Sequence, residues 1–152
     1  MRGAAAALLG IAFGAPSARV QAQPPVAIVS VTPAALDSNL VCEVETRGLP
    51  DTPSRETLAS GLPSALVLGL SVVDAAGKTL GDSRAEVRVE PDLWEGGFVV
   101  STPGRDQRLT SMGQVEAMLG RLPSIPALPL ARLKRDVAYR IRVRLAVHPL
   151  AP

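Results

Sequence analysis

The sequence predicts a mainly β fold, β-rich α+β in class: antiparallel, sandwich-like sheets of about six or seven strands with two short helices. Three observations predict it. Several segments alternate apolar and charged residues with period two, as half-buried antiparallel strands do. Turn residues recur between those segments. Only two helical patterns occur, both short, so the regular crossover helices of a doubly wound α/β sheet are missing.

The chain of 152 residues opens on a segment that reads as a secretory signal peptide. Arg2 is the positive n-region, Gly3 to Ala15 is apolar or small throughout, Pro16 breaks the run, and Val20-Gln21-Ala22 offers a small-residue cleavage site. Residues 1–22 are therefore expected to be removed, leaving 23–152 as a single domain. The apolar run is about 13 residues, short of the roughly 20 that a spanning helix needs. Cys42 lies too far beyond it to be a lipid-attachment cysteine.

The elements follow in order. Val26–Val31 is a β-branched run stopped by Pro33, and Leu40–Glu45 alternates Leu40, Cys42 and Val44 against Val41, Glu43 and Glu45. Leu49 to Pro53 turns into a helix over Ser54–Leu62, with Thr52 or a neighbour as cap, Pro53 tolerated in the first turn, and Gly61 and Pro63 ending it. Ala65–Val73 is the most apolar strand and is expected at the centre of a sheet. After the turn Asp74–Gly77, Arg84–Glu90 places Ala85, Val87 and Val89 inward and its charges outward. Leu93–Thr102 carries Trp94, Phe98 and Val100, interrupted by Gly96-Gly97 as a bulge or tight hairpin. Ser111 and Gln114 have capping-box spacing for a second helix over Ser111–Leu122. Its Met112 and Met118 are expected to fill core space. Pro123, Pro126 and Pro129 punctuate a loop, and Val137–Val147 is the closing strand. There, Arg140, Arg142 and Arg144 face away from the apolar residues at 137, 139, 141, 143, 145 and 147.

Charge narrows the function classes. The sequence has 16 Lys+Arg and 14 Asp+Glu. Without Arg2 and Arg19, which the leader carries, 14 bases face 14 acids, so a general basic field for nucleic acid is unsupported. The remaining chain is polarised: residues 23–98 hold 11 acids and 5 bases, and residues 99–152 hold 3 acids and 9 bases. The two halves are expected to neutralise each other within the fold. One cysteine excludes an intrachain disulfide framework, and one histidine excludes metal sites built from several histidines. No metal or other cofactor is expected, and no phosphate loop, nucleophile elbow, EF-hand or zincin motif occurs.

Several segments resemble a family of exported proteobacterial proteins known only as a domain of unknown function. They are Thr57-Leu58-Ala59-Ser60-Gly61-Leu62-Pro63-Ser64-Ala65-Leu66, then Asp92-Leu93-Trp94-Glu95-Gly96-Gly97-Phe98-Val99-Val100, and the closing Tyr139-Arg140-Ile141-Arg142-Val143-Arg144-Leu145 behind a helix and a Pro-rich loop. The resemblance implies an extracytoplasmic location, a β-rich fold and genomic company with two-component sensor kinases. It implies no activity and no catalytic residue.

The candidate sites are few. Alternate residues on one strand face lie about 6.5–7 Å apart, so Arg140, Arg142 and Arg144 could grip a phosphate- or carboxylate-rich partner, such as an envelope protein or an anionic lipid headgroup. The competing expectation is a cross-strand ladder with Glu43 and Glu45, or with Glu86 and Glu90. Arg132, Lys134 and Arg135 add a second basic cluster. Trp94 is a candidate partner contact, although packing with Phe98 under the bulge is the expected arrangement. Asp92 and Glu95 flank Trp94 and could serve acid–base hydrolysis if they met in a cleft. Cys42 is expected in the core rather than in a dyad with His148. Together these readings expect an exported, non-enzymatic binding module of the cell envelope, ahead of a small hydrolase or a purely structural component.

Overall fold

In the computed structural model the described residues are 23–149, so the expected leader, residues 1–22, lies outside them. The fold is mostly β, two antiparallel sheets facing each other with two helices, as the alternation predicts. A three-stranded sheet has the order β1-β2-β7, and a five-stranded sheet has the order β6-β5-β4-β3-β8. The strands are β1 Ala27–Leu36, β2 Asn39–Arg47, β3 Ser64–Val73, β4 Thr79–Pro91, β5 Phe98–Thr102, β6 Arg105–Leu109, β7 Arg121–Pro129 and β8 Arg140–Pro149. Helix α1 is Thr52–Ala59 and α2 is Met112–Gly120.

β3 is the central strand its apolar sequence predicts, paired on either side with β4 and β8. Its Leu66, Leu68, Leu70 and Val72 point into the sandwich and are buried. They meet Val87 and Val89 of β4, Cys42 and Val44 of β2, and Leu122 and Ile125 of β7 in one cluster. Each fully buried leucine or isoleucine there contributes on the order of 1.5–3 kcal/mol by leaving water. The core is aliphatic, and Phe98 only borders it.

The helices close the layer between the sheets. Asp51 caps α1, its side chain accepting from the Ser54 amide at 3.0 Å, and Leu58 reaches the core. Ser111 caps α2 by accepting from the Gln114 amide at 3.3 Å. The reciprocal bond of the capping box is displaced by one residue, since the Gln114 side-chain Oε1 accepts from the Thr110 amide at 2.8 Å. Val115 and Leu119 are buried, and Met112 and Met118 pack against the core as filler. Thr46 of β2 ties the helix end down by donating to the Leu119 carbonyl at 2.7 Å in a buried site.

The closing strand begins at Arg140, not Val137, which is exposed, and the strand after β4 begins only at Phe98. Three further segments differ from the sequence expectation. The Pro-rich stretch after α2 is strand β7, not a loop. It lies at the edge of its sheet, where a residue without an N–H leaves no ladder bond broken on the solvent side. For the same reason β1 runs through Pro33, which pairs with Cys42 at the other edge of that sheet. β6 has no apolar alternation because only Leu109 of its five residues is buried, so its period-two signal is missing. It is an edge strand held by the hairpin with β5, and it raises the count to eight among the described residues.

Candidate functional site

The closing strand β8 positions the arginine row. It pairs with β3 through ten consecutive residues with no register shift, so its alternation is preserved along the whole strand. Ile141, Val143, Leu145 and Val147 face the core but stay half-buried, while Arg140, Arg142 and Arg144 are exposed on the outer face. Among the described residues, none of the three arginines joins an ion pair.

The expected ladder with Glu43 and Glu45 does not form, because the partners sit on opposite sheets. Glu43 and Glu45 lie on the outer face of β2 and are taken by Arg121 of β7, whose guanidinium reaches Glu43 at 2.7 Å and Glu45 at 3.4 Å. The two carboxylates push the Arg121 pKa up, the hydrogen bond to Glu43 contributing most. Glu86 and Glu90 do share the five-stranded sheet with the arginines. Both lie on β4, however, with β3 between them and β8, about 9.5 Å away. Glu90 pairs with Arg88 instead.

Cross-strand register enlarges the basic face. Arg144 is level with Gly69 of β3, which is level with Arg84 of β4. A Cβ placed on Gly69 would meet nothing within 4 Å, so the floor between the two guanidiniums is open. The result is a shallow depression of about 480 Å³ lined by Val67, Gly69, Arg84, Arg144, Ala146 and His148. One row along, Arg142 is level with Ser71 and Asp82, and the Ser71 hydroxyl donates to Asp82 at 2.5 Å. Arg84 was read only as an outward charge in the sequence. Its place opposite Arg144 depends on a glycine in a third segment, and no local spacing reveals that.

Trp94 departs from the aromatic-pair expectation. It is 97% exposed and Leu93 is 75% exposed, both on the loop between β4 and β5, while Phe98 borders the core alone. The loop is tightly built. Asp92 Oδ1 accepts from the Trp94 amide at 3.1 Å and the Glu95 amide at 3.0 Å, and the Asp92 amide donates to the Gly97 carbonyl at 3.0 Å. Gly97 has φ 83°, and a Cβ there would run into the Leu109 backbone carbonyl, so only glycine fits. The loop lies at the end of the five-stranded sheet where β8 finishes, and Arg140 lies at the opposite end. Trp94 and the arginine row are therefore separate surfaces.

Asp92 and Glu95 both pair with Arg108 of β6, Asp92 at 3.0 Å. The two backbone amides, with Arg108 behind them, hold the Asp92 carboxyl below the usual range. A general acid needs the opposite shift. Neither carboxylate lines a depression among those described, so the geometry assigns them to building the loop. Cys42 is fully buried on β2, and burial pushes its thiol pKa up. His148 is exposed on the outer face of the other sheet, so no dyad forms. Arg132, Lys134 and Arg135 are exposed in the connection before β8.

The sequence reading missed a second depression, of about 530 Å³, between α2 and the β5–β6 hairpin. Arg105, Arg108, Gln114, Met118 and Arg121 line it. Two of its arginines are already neutralised, Arg108 by Asp92 and Glu95, and Arg121 by Glu43 and Glu45. Among the described residues, no helix is long and apolar enough to cross a membrane. Compared with family models, curated proteins and solved structures, the chain matches none.

Proposed function

We propose that this chain is an exported, non-enzymatic binding module of the cell envelope. Its contact surface for an anionic partner is the basic outer face formed by Arg140, Arg142 and Arg144 with Arg84. One observation carries the reading: the three β8 arginines have no ion-pair partner among the described residues, while of the acids with matching spacing Glu43, Glu45 and Glu90 are engaged elsewhere and Glu86 is held away on β4 with β3 between. Guanidinium groups are weakly hydrated forks suited to carboxylate or phosphate, and here they stand in a fixed row over a strand. The extracytoplasmic location is supported by the apolar segment behind Arg2, its small-residue boundary at Ala22, and the resemblance to an exported family. Trp94 adds a separate contact in this reading, since an indole held outward on a rigid loop has the chemistry of an interface anchor.

The test uses poly-L-glutamate as the anionic probe. Wild-type protein is expected to bind it at low salt, and the combined Arg140→Glu, Arg142→Glu and Arg144→Glu variant is expected to lose at least tenfold in affinity while keeping its circular dichroism spectrum. Equal affinity of the two folded proteins would remove the arginine row from the function. Expression in a Gram-negative host, with N-terminal sequencing of the periplasmic fraction, tests the location. The expected first residue is Gln23.

A further inference from the structure

Among the described residues, four strands stand at sheet edges: β1 and β7 in one sheet, β6 and β8 in the other. An exposed edge offers unpaired N–H and C=O groups to any extended chain, and proteins usually blunt it. Three of the four edges are blunted. β1 carries Pro33 and a register shift between Ile28 and Ser30. β7 carries Pro123, Pro126 and Pro129, and its pairing with β2 shifts register twice. It also closes against the early part of β4, where the Ser83 hydroxyl donates to the Pro126 carbonyl at 2.7 Å and Leu128 packs on Gly81. β6 has only five residues.

β8 lacks the internal prolines, the register shifts and the short length, although α1 and β1 lie against it. It runs ten residues with no register shift, its one proline is its last residue, and among the described residues it pairs only with β3. About half of its N–H and C=O groups therefore point away from β3. Its inner row, Ile141, Val143, Leu145 and Val147, is half-buried, in contrast to the fully covered inner row of β3. The apolar layer thus continues to the edge and stops there half-covered. On the outer face the same strand presents Arg140, Arg142 and Arg144 at period two.

We infer that β8 is an acceptor edge for strand addition, and that its occupant is an extended segment of a partner protein alternating acidic and apolar residues. This rests on the anionic-partner reading above. The period of a strand sets the match: acids at alternate positions would stand beside the arginines on the outer face, and the residues between them would extend the apolar layer over the inner row. Main-chain hydrogen bonds supply the affinity, and the arginines supply the choice of partner. The same arginines disfavour a second copy of this chain. In a symmetric antiparallel pair of β8 strands centred on Arg142, Arg142 would face Arg142 and Arg140 would face Arg144, and like charges directly opposite are destabilising.

The test uses four soluble peptides of nine residues. The first alternates glutamate with valine, the second has the same composition in scrambled order, and the third and fourth are the alternating peptide N-methylated at every second residue in one register or the other. Binding is read by fluorescence anisotropy, and per-residue amide exchange along β8 is read by NMR. The alternating peptide is expected to bind at least tenfold more tightly than the scrambled one. It is also expected to slow exchange at alternate amides between Arg140 and His148. One N-methylated register should lose at least tenfold and the other should bind as the parent does. The exchange measurement needs no substitution, so it stands even if a charge-reversal variant folds poorly. Equal binding of alternating and scrambled peptides, with β8 exchange unchanged, would overturn strand addition and leave the arginine face as a simple anion contact. No binding of either peptide or of poly-L-glutamate would overturn the anionic-partner reading as well.

Discussion

β7 and β8 are both edge strands, both come from the basic half of the chain, and they finish differently. β7 buries Leu122 and Ile125, interrupts its edge with three prolines, closes against β4, and spends Arg121 on Glu43 and Glu45. β8 leaves its inner row half-covered, keeps a regular edge, and leaves Arg140, Arg142 and Arg144 without an ion pair among the described residues. Neutralisation between the halves of the chain does occur, through Arg121 with Glu43 and Glu45 and through Arg108 with Asp92 and Glu95, while Arg55 with Glu116 at 2.5 Å pairs a minority charge from each half. It stops short of β8. The comparison teaches that charge balance along a sequence does not fix which charges meet, because sheet membership and strand adjacency decide that.

The largest expected contrast is in packing. Ile125→Ala removes a fully buried side chain from β7 and should cost about 2–5 kcal/mol. Leu145→Ala, at a half-covered position of β8, should cost well under half as much, since solvent already reaches the site. Urea unfolding of the two variants measures both, and equal costs would erase the distinction between the two edges.

A second contrast concerns the open floor between Arg84 and Arg144. Gly69→Val places its Cβ where nothing lies within 4 Å, in a strand that favours β-branched residues. Stability should be unchanged or slightly higher, while affinity for poly-L-glutamate falls several-fold by isothermal titration. An unchanged affinity would mean that the two arginines do not share a ligand.

Smaller effects distinguish engaged from unengaged charge. Arg121→Ala should lower the unfolding midpoint, and the loss should shrink as salt rises. Arg142→Ala should leave the midpoint where it is. Asp92→Asn tests the engaged group in the β4–β5 loop. Because the Asp92 carboxyl is held below its ordinary 3.8, its contribution is full above that value and disappears as pH falls through the lowered folded value. Wild type should therefore lose more stability than Asp92→Asn on acidification below about pH 4, read from thermal midpoints across a pH series.

Much of the fold was legible because period-two alternation is a local signal. It placed β2, β3, β4 and β8, and cap residues placed both helices. What escaped depended on neighbours distant in sequence. The prolines of β7 look like loop punctuation until β2 is seen to lie on one side only, and β6 carries too little apolar sequence to register. For the candidate site, the spacing of Arg140, Arg142 and Arg144 was readable, and so was their outward face. Their partners were not, because matching glutamates occur on two strands and spacing cannot say which sheet each joins. Trp94 misled for another reason: with few aromatics in the chain, a core place seemed required, but the aliphatic rows of β2, β3, β4 and β7 fill the core without it.

The most direct measurement is the affinity of the alternating glutamate–valine peptide for two charge-reversal variants made side by side, Arg142→Glu with Arg144→Glu on β8 and Arg121→Glu on β7. Binding should fall at least tenfold for the β8 variant and stay within twofold of wild type for the β7 variant. Equal losses, or a loss confined to Arg121→Glu, would contradict the assignment of β8 as the open, cationic edge of this fold.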